Sequence, residues 1–557
     1  MKLSFLTFLL LSSLPIGAAE AQLAPGDGDP LARQVDAVFA EWNSRETPGC
    51  IVGVSRNGEV LYRRGYGMAS LEHGVPMSPF VVSEIGSVSK QFTAAAILLL
   101  AQDGLLSLDD DVRQHVPELQ VEEPLTLRRL ADHTSGIRDW IGLAGLAGRP
   151  WGEVIHTIPE ITELISRQTT LNFTPGERYL YSNAGYALML EVVERVRGQS
   201  FAEFTTERIF RPLGMDDTQW RDDHARIVPN RAAAHRPDND DGFRTMMPFS
   251  DAVGSGGLIT SVDDMLRWTE ALHADEFGAP GFLEEMTRPG VLNDGREIHY
   301  ALGLQHGDFR GIPEVAHGGA TAGYRAYLAH YPNEGLTVAL QCNVTAVNSG
   351  GLARSVAEVF LGDRLAVEPE IVDPEPLPVP AGELARLAGL FRDPATERVL
   401  TVEIEDRVLR TGGALRMRLI PVGENRFRRA GSSDEYTILP VPGGGLELRE
   451  EVDEGEPTVF AAVPAVKPDA TTFAAYVGRY RSPELGITYE VEVEDGALVV
   501  RRPVVSDWTL TPTFEDGFAV EEGGGGNLVF HRDADGNVTG FGYFAGRILD
   551  VRFERVE

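Results

Sequence analysis

The pattern of apolar and polar positions divides the chain into two regions of different character. From about residue 31 to 365, short alternating stretches are interleaved with helical ones, which indicates an α/β or α+β domain. Residues Ile51 to Gly67 alternate around Arg56-Asn57-Gly58 and predict a β-hairpin. Residues Ser89 to Gln102 predict a helix that is apolar nearly all round, so we expect it to lie in a core.

The second region follows a stretch rich in proline and acids, residues 368–383, which is typical of an extended linker. This region contains an internal repeat, because two pairs of segments align at the same offset. The pairs are Leu387-Ala-Gly-Leu-Phe-Arg-Asp-Pro394 with Tyr476-Val-Gly-Arg-Tyr-Arg-Ser-Pro483, and Val402-Glu-Ile-Glu405 with Val491-Glu-Val-Glu494. Both repeats alternate apolar and polar residues between glycine turns. We therefore predict two small antiparallel β-domains or barrels, residues 384–464 and 472–557.

The first 21 residues have the pattern of a cleavable signal peptide. Lys2 precedes an apolar run from Leu3 to Leu14, and small residues follow before Gln22. No later apolar stretch is long enough to span a membrane. We expect an exported protein, periplasmic or secreted, whose first folded domain extends over residues 22–367.

Charge and cysteine content exclude several function classes. The net charge of −33, with no clustered basic patch, argues against nucleic-acid binding. Cys50 and Cys342 each lie in a β-like apolar run; they could pair in an oxidising compartment, but two buried thiols are the favoured expectation. Because the sequence shows no clear set of metal ligands, we expect no metal and no cofactor.

Lysine is scarce, which draws attention to Lys90. The chain has three lysines among 50 basic residues, and Lys90 follows Ser87 by three positions at the start of the apolar helix. Residues at that spacing share a helix face, and a buried lysine can lose its proton and serve as a base whereas arginine cannot. In isolation, Ser-x-x-Lys is better explained by a capping serine followed by a surface lysine.

Two further motifs change that balance. Tyr181-Ser-Asn183 opens a second helical stretch. His317-Gly-Gly319-Ala320 precedes an alternating run, Tyr324 to Tyr331, and we interpret it as the start of an edge strand. In order and spacing, the three motifs resemble those of the serine β-lactamase and penicillin-binding protein superfamily. The histidine in the third motif and the two following β-domains are most similar to the D-stereospecific aminopeptidases.

This resemblance implies a fold and a set of roles. The fold would be a β-lactamase/transpeptidase-like α/β (α+β) domain with an antiparallel sheet flanked by helices, followed by two lipocalin-like barrels. Ser87 would be the nucleophile, and Lys90 and Tyr181 would share the acid and base work. The resemblance also implies substrate-binding roles, which fall on Asn183, His317, Gly319 and Ala320, the last supplying an oxyanion-hole N–H with that of Ser87.

The function implied is hydrolysis of small peptides or amides that carry D-residues, for which peptidoglycan is one candidate source. An esterase or β-lactamase on the same site, and a penicillin-recognising binding protein, remain as alternatives. The β-domains could act as lids or as the surfaces of a homodimer. One departure from the family concerns the loop near residues 520–527, which is short here, so we expect a more open cleft.

Overall fold

The computed structural model describes residues 30–556 with the exception of 240, 241, 275, 368–370, 413–415, 443, 453–456, 468, 469 and 521–524. The predicted signal peptide therefore lies outside the described residues, as do the central residues of the short loop near 520–527. Within the described part of the chain, no helix has the length and apolar character that crossing a membrane requires.

The first domain is built on a six-stranded antiparallel sheet in the order β10-β11-β12-β13-β1-β2. Its remaining strands form two-stranded and three-stranded sheets at the periphery. The thirteen strands described in this domain are β1 (Cys50–Arg56), β2 (Glu59–Tyr66), β3 (Met68–Ser70), β4 (Val75–Pro76), β5 (Ser83–Glu84), β6 (Gln219–Trp220), β7 (His235–Pro237), β8 (Phe243–Thr245), β9 (Leu258–Thr260), β10 (Gln305–Phe309), β11 (Ile312–Thr321), β12 (Tyr324–Tyr331) and β13 (Leu336–Cys342).

Helices cover both faces of this sheet. The α-helices described are α1 (Pro30–Val38), α2 (Lys90–Gln102), α3 (Leu127–Ala131), α4 (Trp140–Leu146), α5 (Ile158–Ser166), α6 (Asn183–Arg197), α7 (Phe201–Thr205), α8 (Val262–His273), α9 (Phe282–Thr287), α10 (Ser349–Leu361), α11 (Ala381–Leu387) and α12 (Ala470–Phe473). Short 3₁₀ turns occupy Ala40–Trp42, Gly86–Ser89, Val112–Gln114, Pro332–Glu334 and Gly362–Arg364, and a π-helical turn occupies Thr206–Phe210. Helices α1 and α10 share one apolar core with the sheet, and α2, α6 and α8 contribute to the larger core on the other face.

The local predictions near the start of the domain agree with the structure. Strands β1 and β2 pair as a hairpin, and its turn residues Asn57 and Gly58 have the positive φ angles, 48° and 79°, that an Asn-Gly turn accommodates. Helix α2 is buried from Lys90 to Leu100, as its apolar sequence predicted. Gly104, with φ of 73°, follows the end of the helix in the left-handed conformation that is typical after a helix terminus.

The expectation of two separate buried thiols is wrong. Cys50 and Cys342 are joined by a disulfide, because β1 and β13 are neighbouring strands and the two residues stand directly opposite each other in the antiparallel register. Their Cα atoms are 4.0 Å apart. The sequence pattern showed that each cysteine belongs to a strand, but it carried no information on which strands are neighbours.

Two closed eight-stranded barrels follow, in agreement with the prediction of tandem β-domains. Their first strands begin at Gly389 and Gly478, which the sequence repeat aligns. Helix α11 begins within the stretch that we predicted as a linker and contributes Leu384 and Leu387 to the first barrel's core. The barrel strands are β14 (Gly389–Arg392), β15 (Val399–Glu405), β16 (Val408–Thr411), β17 (Arg418–Gly423), β18 (Arg426–Arg429), β19 (Glu435–Pro440), β20 (Leu446–Glu451) and β21 (Thr458–Val463) in the first, and β22 (Gly478–Ser482), β23 (Ile487–Glu494), β24 (Ala497–Arg501), β25 (Trp508–Pro512), β26 (Gly517–Val520), β27 (Asn527–Arg532), β28 (Val538–Ala545) and β29 (Ile548–Arg555) in the second.

The second barrel is docked onto α4 of the first domain. Leu143 and Leu146 of α4 belong to the same apolar cluster as the interior of this barrel. The fully buried Arg138, just before α4, donates hydrogen bonds to the carbonyl oxygens of Leu549 (2.8 Å) and Asp550 (3.1 Å) in β29. A buried guanidinium needs such partners, so this contact fixes the barrel against the loop that leads into α4.

Candidate active site

Ser87 lies where the 3₁₀ turn Gly86–Ser89 runs into α2, and strand β11 packs closely against this turn. A Cβ atom on Gly319 would lie 1.9 Å from the Ile85 carbonyl oxygen, and one on Gly86, whose φ is 51°, would lie 2.6 Å from the Ala320 backbone nitrogen. Only glycine tolerates such an approach of two backbones. The two glycines therefore let the turn that bears Ser87 and the strand that bears Ala320 lie in close contact.

Lys90 is fully buried and has three polar neighbours. Its Nζ lies 2.8 Å from Asn183 Oδ1, 2.7 Å from the Ser255 carbonyl oxygen and 3.3 Å from Ser87 Oγ. Burial lowers the pKa of Lys90 well below its ordinary value; the carboxylate of Asp139 opposes this shift and the guanidinium of Arg547 adds to it. A neutral amine has two N–H donors, which the two carbonyl oxygens satisfy, so its lone pair is left facing the Ser87 hydroxyl.

Asp139 determines how the Asn183 amide is oriented. Its Oδ2 accepts hydrogen bonds from the backbone N–H and the side-chain Nδ2 of Asn183, both at 2.8 Å, while its Oδ1 caps α4 by accepting from the Ile141 N–H at 3.0 Å. Because an ionised carboxylate only accepts, the Asn183 NH₂ must face Asp139 and its oxygen must face Lys90. The sequence analysis did not identify this residue.

The Tyr181 hydroxyl is buried and makes no hydrogen bond of normal geometry with the described residues. Burial raises the pKa of Tyr181 well above its ordinary value, and the nearby Ser87 side chain partly offsets that rise. Lys90 Nζ lies 4.8 Å from the centroid of the Tyr181 ring. Tyr181 is therefore a protonated phenol near Ser87, and both residues line the cleft.

His317 is buried and neutral over the physiological range, since burial, with a smaller contribution from Lys90, lowers its pKa to about 3. Its Nδ1 lies 2.6 Å from the Gly318 carbonyl oxygen, which can only accept, so the ring proton is on Nδ1. Nε2 then accepts from the Tyr300 hydroxyl at 2.9 Å. With this pKa, the change in the charge of His317 falls in the acid range.

Strand β11 extends beyond its neighbour on one side. The last residue of β11 that pairs with β10 is Ala316, opposite Gln305, whereas pairing with β12 continues to Thr321. Among the described residues, the stretch His317–Thr321 has no strand partner on the β10 side. An extended substrate can add to such an edge through backbone hydrogen bonds.

These residues line a cleft of about 640 Å³. Its walls include Trp140, Trp151 and Tyr179 from the first domain and Arg547 from the turn between β28 and β29. The second barrel thus contributes directly to the cleft. The cleft lining includes all of the sequence-predicted site residues except the buried Lys90: Ser87, Tyr181, Asn183, His317, Gly319 and Ala320.

The structure adds four residues that sequence reasoning missed: Asp139, Tyr300, Arg547 and His133. His133 accepts a hydrogen bond from the Ser182 N–H at 3.2 Å, and its ring packs 4.1 Å from that of Tyr181, between ring centroids. His133 lies two residues after α3. The available signal was the segment Asp132-His133-Thr-Ser-Gly136, which contains this histidine. Nothing in the segment indicated that the His133 ring packs against that of Tyr181.

One group of side chains has the chemistry of a metal site. Ligand atoms of Asp223, His224 and Asp251 lie within 4.8 Å of one another. His224 Nδ1 already contacts Asp251 Oδ1 at 2.9 Å, and the three residues are not part of the cleft lining. The residues around Ser87 therefore carry the chemistry of the cleft without a contribution from this group.

The site consists of a serine beside a buried lysine and a tyrosine, with two backbone N–H groups nearby, on an antiparallel sheet flanked by helices. This arrangement defines a serine hydrolase. A family model described as beta-lactamase matches residues 32–359, more than half of the 557 residues. The chain belongs to the beta-lactamase family.

Curated relatives extend this likeness into the second half of the chain. A D-aminopeptidase from Gluconobacter oxydans strain 621H is 32% identical over 365 residues, which cover 65% of this chain and 68% of that protein. A D-aminopeptidase from Brucella anthropi is 28% identical over 528 residues, covering 91% of this chain and 95% of the relative. The octameric penicillin-binding protein homologue from Pyrococcus abyssi shares the fold, with a TM-score of 0.54 and 24% sequence identity. The match covers 77% of this chain and 99% of that one.

Proposed function

We propose that this serine hydrolase forms an acyl-enzyme on Ser87 and cleaves amides or peptides that carry a D-residue, in the manner of a D-aminopeptidase. The observation that carries the proposal is the environment of Lys90, which has two carbonyl acceptors and the Ser87 hydroxyl as its polar neighbours. The choice of substrate is supported by the two relatives named D-aminopeptidase.

In the first step, Ser87 Oγ attacks the substrate carbonyl carbon while its proton passes to Lys90 Nζ. The carbonyl π electrons move to the oxygen, which becomes an oxyanion facing the N–H groups of Ser87 and Ala320. Such preorganised donors are typically worth about 10²- to 10³-fold in rate each. Asp139 and Asn183 keep Lys90 in place during this transfer.

In the second step, the oxyanion collapses, the C–N bond breaks and the leaving nitrogen needs a proton. Tyr181 fits this role because burial keeps its phenol protonated. It gives its proton to the departing amine and takes one back from the Lys90 ammonium. Water then attacks the ester carbon with Lys90 and Tyr181 in the reverse roles, releasing the acid and restoring Ser87.

The test is intact-mass spectrometry of the chain after exposure to a panel of acyl donors, combined with turnover assays. We expect hydrolysis of D-Ala-p-nitroanilide with little hydrolysis of the L-enantiomer, and a transient adduct that peptide mapping places on Ser87. The Ser87→Ala variant is the matched control. Full activity of that variant on every substrate of the wild type would rule the proposal out.

The same panel separates the alternatives. Turnover of p-nitrophenyl acetate or a chromogenic cephalosporin, with none of the D-residue amide, would indicate an esterase or a β-lactamase. Stable labelling by a fluorescent penicillin without turnover of any donor would indicate a penicillin-recognising binding protein.

We also propose that the chain is exported, acts on peptidoglycan-derived peptides and forms a homodimer. The Cys50–Cys342 disulfide supports export, because such bonds persist in oxidising compartments. A mature N-terminus near Gln22, hydrolysis of D-residue peptides from cell-wall digests and a dimeric mass by light scattering are the expected results.

A further inference from the structure

The cleft contains few charged groups that are free to bind a substrate. Lys90 is buried and its pKa is lowered, and His317 is neutral. Glu84, the one carboxylate among the described lining residues, is buried against Arg221 with an O–N distance of 3.2 Å. Among the described residues, therefore, no free carboxylate lines the cleft to receive a substrate ammonium group.

Two arginines are the remaining cations of the lining. Arg325 directs its Nη1 at the carbonyl oxygens of Ala322 (3.0 Å) and Tyr324 (2.7 Å), so it is partly committed to the fold. Arg547 donates no side-chain hydrogen bond to a described residue. Its Nη1 is 4.0 Å from Asp139 Oδ2, and its side chain is 49% exposed. The Arg547 guanidinium thus keeps donors available for a ligand.

The position of Arg547 is fixed by its backbone. Its carbonyl oxygen accepts from Asn172 Nδ2 at 3.0 Å and from the Asp139 N–H at 3.4 Å. Asn172 Oδ1 in turn accepts from the Leu549 N–H at 2.8 Å. These hydrogen bonds attach the turn between β28 and β29 to the segment that bears Asp139. They fix the backbone position from which the Arg547 side chain reaches the cleft.

The Arg547 side chain also lies close to the reacting groups. Its guanidinium carbon is 4.5 Å from the centroid of the Tyr181 ring. Because the Tyr181 hydroxyl must reach the leaving nitrogen, a group bound by Arg547 belongs to a part of the substrate near the scissile bond. A guanidinium binds carboxylates through paired N–H donors.

We propose that Arg547 is a specificity-determining residue that binds a substrate carboxylate close to the scissile amide. This inference rests on the proposed function and adds to it the class of substrate preferred. The carboxylate can belong to the acyl part, as in a D-acidic residue, or to the leaving part, as in the free C-terminus of a dipeptide.

The experiment uses two pairs of substrates that differ only in the carboxylate. D-Glu α-p-nitroanilide and D-Gln α-p-nitroanilide test the acyl part, and D-Ala-D-Ala and its C-terminal amide test the leaving part. We measure kcat/KM for each with the full chain and with Arg547→Gln and Arg547→Ala. The matched control is Arg552→Gln, which replaces an exposed arginine on β29 that forms an ion pair with Asp550.

We expect the wild type to favour the carboxylate member of one pair by about ten- to hundredfold, the range that a charged hydrogen bond supports. Both Arg547 variants should bring that ratio close to one, while Arg552→Gln keeps it. Urea midpoints show whether the variants are folded, and the ratio within each variant is independent of the folded fraction.

Ratios near one in the wild type for both pairs, or ratios that both Arg547 variants preserve, would overturn the inference. So would the absence of turnover for all four compounds by a chain that hydrolyses D-Ala-p-nitroanilide. Failure of Ser87 to react with any donor would instead overturn the proposed function, so the two failures are distinguishable.

Discussion

Replacing Asp139 with asparagine tests how the base is held. The wild-type carboxylate accepts three hydrogen bonds, two from Asn183 and one from the Ile141 N–H. Asparagine has a single acceptor oxygen. Whichever way its amide points, an NH₂ group faces either the Asn183 donors or the cap of α4.

The magnitude follows from the bonds lost. Asp139 has a side-chain exposure of 5%, so solvent does little to replace them. A hydrogen bond to a charged group contributes about 1.5 to 3 kcal/mol, and leaving a buried donor unsatisfied costs a similar amount. We therefore expect the free energy of unfolding to fall by about 2 to 4 kcal/mol and kcat/KM to fall by about ten- to hundredfold.

The pH profile gives a second readout. The Asp139 carboxylate raises the pKa of Lys90, so removing its charge lowers that pKa further. The proposed mechanism requires neutral Lys90, so the acid limb of kcat/KM should move to lower pH in Asp139→Asn. A merely structural role for Asp139 would lower activity without moving this limb.

The assay combines urea unfolding with kcat/KM on D-Ala-p-nitroanilide from pH 5 to 10. Asp111→Asn is the matched control, because Asp111 caps a 3₁₀ turn of the same domain by accepting from the Arg113 N–H at 3.0 Å. It lies outside the cleft lining. The reasoning is refuted if Asp139→Asn keeps both the kcat/KM and the acid limb of that control.

Three further predictions concern the base, the oxyanion hole and the disulfide. Lys90→Arg should abolish turnover, because a guanidinium stays protonated, and stopped-flow measurement should find no acylation burst. Gly319→Ala should lower kcat by about 10²-fold, because the new Cβ would meet the Ile85 carbonyl oxygen. Gly145→Ala should retain the wild-type kcat, because its new Cβ would have no neighbour within 4 Å. Cys50→Ser should destabilise the chain by about 3 to 5 kcal/mol, because the disulfide spans 292 residues. Reducing agent should lower the urea midpoint of the wild type by a similar amount, but it should not lower that of the variant.

The parts of the fold that could be predicted depend on local patterns. Three predicted features are each marked by short stretches of sequence. They are the apolar run of α2, the Asn-Gly turn after β1 and the repeat that aligns the barrel strands beginning at Gly389 and Gly478. Each of the three motifs is likewise contained in a short stretch of sequence, and their order and spacing along the chain carried the family resemblance.

The parts that could not be predicted depend on contacts between distant segments. Asp139 contacts Asn183 across 44 residues, and Cys50 faces Cys342 only because β1 and β13 are neighbours in the sheet. Arg547 is a turn residue of a barrel, and no periodicity indicates that this turn reaches the cleft. Such contacts follow from topology and docking, which alternation of apolar residues does not determine.

The contact between Arg138 and β29 has a consequence for the order of assembly. It joins groups 411 residues apart in sequence, and the residue after Arg138 orients Asn183 toward the lysine. The second barrel emerges from the ribosome after the segments that carry Ser87, Tyr181 and His317. The first domain can therefore fold around its nucleophile during synthesis, but its cleft acquires its last wall only when the final hairpin docks. Completion of the cleft is therefore a late assembly event.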